Sequence, residues 1–222
     1  SRIVLGTGGL AGSLTAASID NDGEILANFT DTLTLAAPIT GSGFLVKDGT
    51  GTLTLTGTST YTGSTSVDAG TLLVEGALGT GDVNVQAGGT LGGSGTIGGV
   101  VTVLNGGTLA PGSSPGTLTV GSLNLDNGSI LAFELGTPGT VGGGVNDLIS
   151  VTGALVLDGI LNISRQSGFG TGTYRLMDYG SLTSDGGVLF GDVPAGYVLT
   201  VSTATPGEVM LVVDYTGVPV WN

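Results

Sequence analysis

The side chains of this chain that could do chemistry are carboxylates, hydroxyls and a single lysine, Lys47, because histidine and cysteine are both absent. The usual proton shuttle and the thiolate nucleophile are therefore missing. Gly112-Ser113-Ser114-Pro115-Gly116 has the G-x-S-x-G spacing of a nucleophile elbow, which needs a strand-to-helix turn and a base to take the serine proton. Pro115 falls where the helix would begin, so the stretch reads as a turn. Gly93-Ser94-Gly95-Thr96-Ile97-Gly98 has the spacing of a dinucleotide-binding loop, but Val100-Val101-Thr102-Val103 follows it as a strand, and corner glycines of a repeat explain it better. Asp20-Asn21-Asp22-Gly23-Glu24 bunches oxygen ligands as a calcium loop does. It lacks the spaced bidentate glutamate, so a polar turn is expected.

Two further constellations bear on polysaccharides. Asp178, Asp185 and Asp192 lie near Arg175, but their spacing of seven residues (185 − 178 = 7) matches no repeat, and paired carboxylates must face each other across a cleft. Turn and surface roles are expected for them. Tyr174, Tyr179, Tyr197, Tyr215 and Trp221 could stack on sugars, although such residues more often fill or cap a core. No catalytic, cofactor or metal site is assigned. Charge narrows the partners further: 17 acidic residues face four basic ones, Arg2, Lys47, Arg165 and Arg175, for a net charge of −13. Nucleic acid and anionic membrane surfaces are excluded as natural partners, since both need clustered Lys and Arg.

The elements that must position these residues are written in a repeat. Gly-Thr-Leu recurs at Gly51, Gly70, Gly89 and Gly107, at steps of 70 − 51 = 19, 89 − 70 = 19 and 107 − 89 = 18. A period near 19 is one turn of a solenoid, and Val83-Asn84-Val85 and Val101-Thr102-Val103 supply a second alternating strand before each later copy. The 45 glycines provide corners, while Thr and Val suit strands. The reading is an all-β, single elongated domain of stacked coils. Residues 1–40 form N-terminal rungs, 41–135 the repeat-bearing core, 136–146 a glycine-rich loop, and 147–222 longer strands with a cap. No apolar run approaches the roughly 18 residues of a membrane span, so no membrane insertion of this chain is expected.

The stretch Gly41-Ser42-Gly43-Phe44-Leu45-Val46-Lys47-Asp48-Gly49-Thr50-Gly51-Thr52-Leu53-Thr54-Leu55, followed by Thr60-Tyr61-Thr62-Gly63 and Val67-Asp68-Ala69-Gly70-Thr71-Leu72, resembles the autotransporter-associated β-strand repeat. Leu91-Gly92-Gly93-Ser94-Gly95 and Leu109-Ala110-Pro111-Gly112-Ser113-Ser114-Pro115-Gly116 resemble phrases that follow it in passenger domains, and Asn146-Asp147-Leu148-Ile149 is similar to the final passenger segment. The resemblance implies a right-handed parallel β-helix, secreted or held at a bacterial cell surface, in a family of mostly adhesins and stalks. About ten alternating strands of a translocator barrel would be expected after it; either a barrel was removed or another export route serves. The start at Ser1-Arg2-Ile3 suggests a processed chain whose targeting segment is gone.

Three functions remain. The first is a non-enzymatic extracellular structural protein that is its own partner, joining head to tail through Ile3, Val4 and Leu5 at one end and Val209, Leu211, Val213, Val218, Val220 and Trp221 at the other. Fibres, a surface layer or a biofilm matrix would result. The second is an adhesin passenger domain whose lateral surface binds a cell-surface or carbohydrate ligand. The third is an enzyme acting on acidic polysaccharide, which a strongly acidic protein would repel.

Overall fold

The computed structural model describes residues 2–11 and 14–217. Alternating residues here have one strand geometry open to them, in which every second side chain faces the same way. Within the repeat, glycine takes the corner, threonine faces out and leucine faces in. The inward leucines stack into one column: Leu33 pairs with Leu53, then Leu72, Leu91, Leu109, Leu131 and Leu161. All seven are buried. Each such side chain contributes about 1.5–3 kcal/mol by leaving water.

Among the described residues the chain forms a 12-stranded sheet, an eight-stranded sheet and a short two-stranded one, with no helix. The long sheet runs, by neighbour, through Arg2–Leu5, Glu24–Asn28, Phe44–Asp48, Thr65–Val67, Val83–Val85, Thr96–Val103, Thr117–Leu125, Leu148–Leu157 and Gly172–Asp185. The second runs through Thr32–Leu35, Thr52–Leu55, Gly70–Val74, Gly89–Gly93, Thr108–Pro111, Ile130–Leu135, Ile160–Arg165 and Leu189–Phe190. Successive strands of the chain alternate between these sheets, and every pairing within both lists is parallel. The backbone thus winds as a stack of coils, with the core between the sheets.

A third, short face closes the coil. In the first rungs it is the separate pair Ile19–Asp20 and Ile39–Thr40. From Thr96–Val103 onward it merges into the long sheet, and each long strand turns the corner at a register shift between Ile97 and Val100, Val120 and Leu123, and Val151 and Ala154. Glycine occupies that corner in every early rung. A Cβ on Gly63, Gly81 or Gly99 would lie 2.2 Å from the carbonyl oxygen of Gly43, Gly63 or Gly81 in the rung before it. No side chain fits there.

Two expectations are corrected. The period of about 19 holds only as far as Leu109; the next steps on the same column are 131 − 109 = 22 and 161 − 131 = 30. The extra length lies largely in residues 136–146, which leave the stack as a loop and return at Asn146. Parallel pairing also stops at the C-terminal end: Glu208–Tyr215 runs antiparallel to Gly172–Asp185 and to Tyr197–Ser202. The cause is a tight turn at Thr205-Pro206-Gly207-Glu208, with Gly207 at φ 87° and Glu208 N donating to Thr205 O at 3.1 Å.

Candidate functional site

The motifs singled out by type and spacing are spent on folding. The loop at residues 112–116 turns from Thr108–Pro111 into the strand Thr117–Leu125, so Ser114 sits on no helix and faces no base. Gly93 and Gly95 lie at the corner between Gly89–Gly93 and Thr96–Val103, and Gly98 at the register shift within the second of these strands. In the acidic turn, Asp22 accepts from Ser42 N (2.9 Å) and Ser42 Oγ (3.0 Å), which lowers its pKa below the usual carboxylate value. Asn21 donates to Phe44 O at 3.2 Å, and Glu24 pairs with Arg2 at 2.8 Å. These side chains tie one rung to the next.

Arg175 lies between Asp178, at 3.3 Å, and Glu208. Asp185 accepts from Gly187 N at 3.0 Å and from Thr203 Oγ1 at 2.9 Å, while Asp192 is exposed in the segment after Leu189–Phe190. Three of the tyrosines, Tyr174, Tyr197 and Tyr215, form a row with Phe169. Tyr174 stacks on Phe169 at 5.4 Å, Phe169 meets Tyr197 edge-on at 5.3 Å, and Tyr197 meets Tyr215 at 5.4 Å. Tyr174 is fully buried, its hydroxyl against Gly136 and Gly170, so the row runs from core to surface as a cap.

The residues expected to join copies divide among three settings. Ile3, Val4 and Leu5 lie in the first strand, an edge of the long sheet, with Leu5 buried and Val4 exposed. Val209, Leu211 and Val213 are fully buried, their strand paired on both sides, contrary to the expectation of an open end there. The outer strand at that end is Tyr197–Ser202. Val218, Val220 and Trp221 lie outside the described residues.

What sequence reasoning missed is a cleft of about 370 Å³ on the outer face of the eight-stranded sheet. Its floor is the outward column Leu73, Ala110 and Ala132, continued by Asn162. Alternation explains the floor: these positions face out between inward leucines, and two of them are alanine where the first rungs carry Thr34 and Thr54. One wall is the 112–116 loop, with Ser113 and Ser114 exposed and Ser113 Oγ bonded to Glu75. The other groups are Glu134, Ser164 and Asp147.

Asp147 builds the cleft. It is 1% exposed, and its two oxygens accept from Gly116 N (2.8 Å) and Glu134 N (2.6 Å), clamping the loop wall to the sheet. Burial pushes its carboxyl up to about 7, against the pull of the two N–H donors and with a small further rise from the neighbouring Glu134 charge. Asn146, fully buried beside it, accepts from Gly136 N at 2.6 Å and donates to Thr137 O (2.8 Å) and Thr140 O (2.7 Å), holding the 136–146 loop closed on itself. The Asn-Asp pair is thus a two-sided staple, one residue for each loop.

A second staple sits in the repeat. Lys47 falls in an inward column between Ala27 and Val67 and is fully buried. Its ammonium donates to Asp48 O (3.0 Å), Gly49 O (2.8 Å) and Ala69 O (3.1 Å), and lies 5.3 Å from the centre of the Phe29 ring. Three donors meet three carbonyls, which satisfies the charge inside the core. Burial lowers its pKa, offset in part by Asp48.

Among the described residues no helix is long and apolar enough to cross a membrane. The signature of the passenger-associated-transport-repeat matches residues 45–74, the stretch that contains Lys47 and the first two Gly-Thr-Leu copies. The chain is also similar to the adhesin BmaC autotransporter of Brucella suis biovar 1 (strain 1330), at 46% identity over 120 residues. That match takes in 52% of this chain and 4% of the adhesin's length. The repeat signature thus falls within the stacked coils, and the chain carries a passenger-associated-transport-repeat at residues 45–74.

Proposed function

We propose that this chain is a non-enzymatic segment of an adhesin-type passenger, exposed at a bacterial surface or secreted, wound as a right-handed parallel β-helix that presents its lateral face to a cell-surface ligand. The observation that carries the reading is the 46% identity over 120 residues to an autotransporter adhesin, in a fold where Asp22, Asp147 and Glu208 join one stretch of backbone to another. The right-handed sense follows the strong preference of parallel strand crossovers for that hand. Beads coated with the chain should adhere to cultured epithelial cells well above beads coated with an inert protein of equal charge. Equal adherence of the two would end the adhesin reading.

Head-to-tail association is the second reading, favoured by the edges of the stack. Among the described residues the strand Arg2–Leu5 has a neighbour on one side only, with Val4 43% exposed, and Leu189–Phe190 ends the eight-stranded sheet with Leu189 67% exposed. Such edges accept an added strand. Light scattering on the chain and on Val4→Lys tests it: concentration-dependent growth that the substitution suppresses supports association, and a monomer throughout excludes it.

A further inference from the structure

The cleft beside the 112–116 loop has a floor, two kinds of wall and a charge, and together they define a class of ligand. We infer that it is a binding site for a neutral saccharide, a sugar chain bearing hydroxyls and no carboxylate. This rests on the adhesin reading for its setting, since it names what the lateral face would hold.

The floor comes first. Leu73, Ala110 and Ala132, with Gly92 between the first two on the same column and Pro111 beside them, form a low apolar strip across four strands. Strands in a sheet lie about 4.8 Å apart, so the strip runs along the axis of the stack and suits a linear chain of flat rings more than a single compact group. The C–H face of a pyranose would lie on it. An added peptide strand would find no main-chain partners here, because the strands beneath already pair on both sides.

The rim then selects hydroxyls. Ser114 and Ser164 are exposed hydroxyls that donate and accept. Asn162 uses its carbonyl oxygen to accept from Asp192 N at 2.8 Å, which points its amide toward donation. The Glu134 carboxylate takes one hydrogen bond from Gln166 at 3.0 Å and keeps further lone pairs for a ligand. A ring edge carrying neighbouring hydroxyls both donates and accepts, and so matches a rim of this mixed kind. The volume, about 370 Å³, lies in the range of small-ligand clefts, about 300–1,000 Å³.

Charge sets the limit. Glu75, bonded to Ser113, and Glu134 hold negative charge at the cleft, on a chain of net charge −13. A uronate or other acidic sugar would be repelled, whereas a neutral chain would not.

The test is saturation-transfer NMR on the intact chain with maltotriose, chitotriose and trigalacturonate as probes. Signal is expected from at least one neutral probe and none from trigalacturonate. Ala132→Leu, which adds bulk to the outward floor and leaves the core alone, should weaken that binding at least tenfold, while Thr102→Leu on the opposite sheet should leave it unchanged. Silence with both neutral probes, equal binding of trigalacturonate, or indifference to Ala132→Leu would overturn the assignment. Circular dichroism of each variant confirms that folding is retained. Bead adherence separates the two readings: adherence without neutral-sugar binding sinks the cleft and leaves the adhesin, and sugar binding without adherence does the reverse.

Discussion

The rungs up to Leu109 and the rungs after it are built on the same columns, yet the cleft beside the 112–116 loop takes all of its lining but Leu73 from the later ones. In the earlier region each turn adds 18 to 20 residues, as from Leu33 to Leu53 (20) and from Leu91 to Leu109 (18), and each corner glycine lies against the carbonyl of the rung before. Nothing projects. In the later region the 112–116 loop and the 136–146 insertion rise from the stack, and buried Asn146 and Asp147 hold them. The difference teaches that a coil gains a cleft by lengthening a turn while keeping its columns in register. The regular region carries the shape, and the irregular one carries the features a ligand could distinguish.

The comparison breaks most readily at the corner column. Gly81→Val should cost at least about 3 kcal/mol in urea denaturation or abolish folding, because overpacking against fixed backbone has no soft partner to yield. Gly170→Ala, in a loop of the later region with nothing within 4 Å of the added carbon, should stay within about 0.5 kcal/mol of the parent. Equal losses at the two glycines would mean that the regions do not differ as described.

Next comes the lysine staple. Lys47→Met fills a similar space and removes the three hydrogen bonds that the buried ammonium donates to carbonyls, and a loss of about 2 kcal/mol is expected by the same denaturation. Asn146→Ala should cost about 1–2 kcal/mol, and hydrogen exchange should rise in residues 136–146 while protection of the leucine column from Leu33 to Leu91 is unchanged. Faster exchange throughout the chain would show that the loop is not a local unit.

The smallest effect is one of pH. Asp147 has its folded-state pKa raised, to about 7, so the folded chain holds a proton there that the unfolded chain has released. Its contribution is therefore most favourable below about 4 and is lost as pH rises through about 7. The difference in stability between pH 5 and pH 8 should be smaller in Asp147→Asn than in the parent. An unchanged difference would place the pH response elsewhere.

Much of this was legible in the residues. Gly-Thr-Leu gives corner, outward and inward positions directly, and Leu45 and Lys47 share a face by simple alternation, so the buried lysine could have been found from its parity with Leu45. The cleft could not. Its floor joins Leu73, Ala110, Ala132 and Asn162, whose spacings follow a repeat that changes length between them, so no fixed period aligns them. The antiparallel end was hidden for another reason: Val209, Leu211 and Val213 alternate just as an inward parallel strand does, and only the turn at Thr205-Pro206-Gly207 reverses the direction. Apolar residues near a terminus suggested an exposed end, where the hairpin instead folds them into the core.

The most direct test of the stacked coils uses spin labels, since a chain without cysteine accepts them cleanly at chosen sites. One label at Thr32 is paired in turn with Thr108, Ile130 and Ile160, all on one outward column of the eight-stranded sheet. Electron–electron distances should rise by one strand spacing at each step, from about 19 Å to about 24 Å to about 29 Å, although 22 residues separate the first two partners and 30 the next. Distances that grow with the number of intervening residues, or that fail to increase along the series, would contradict the account.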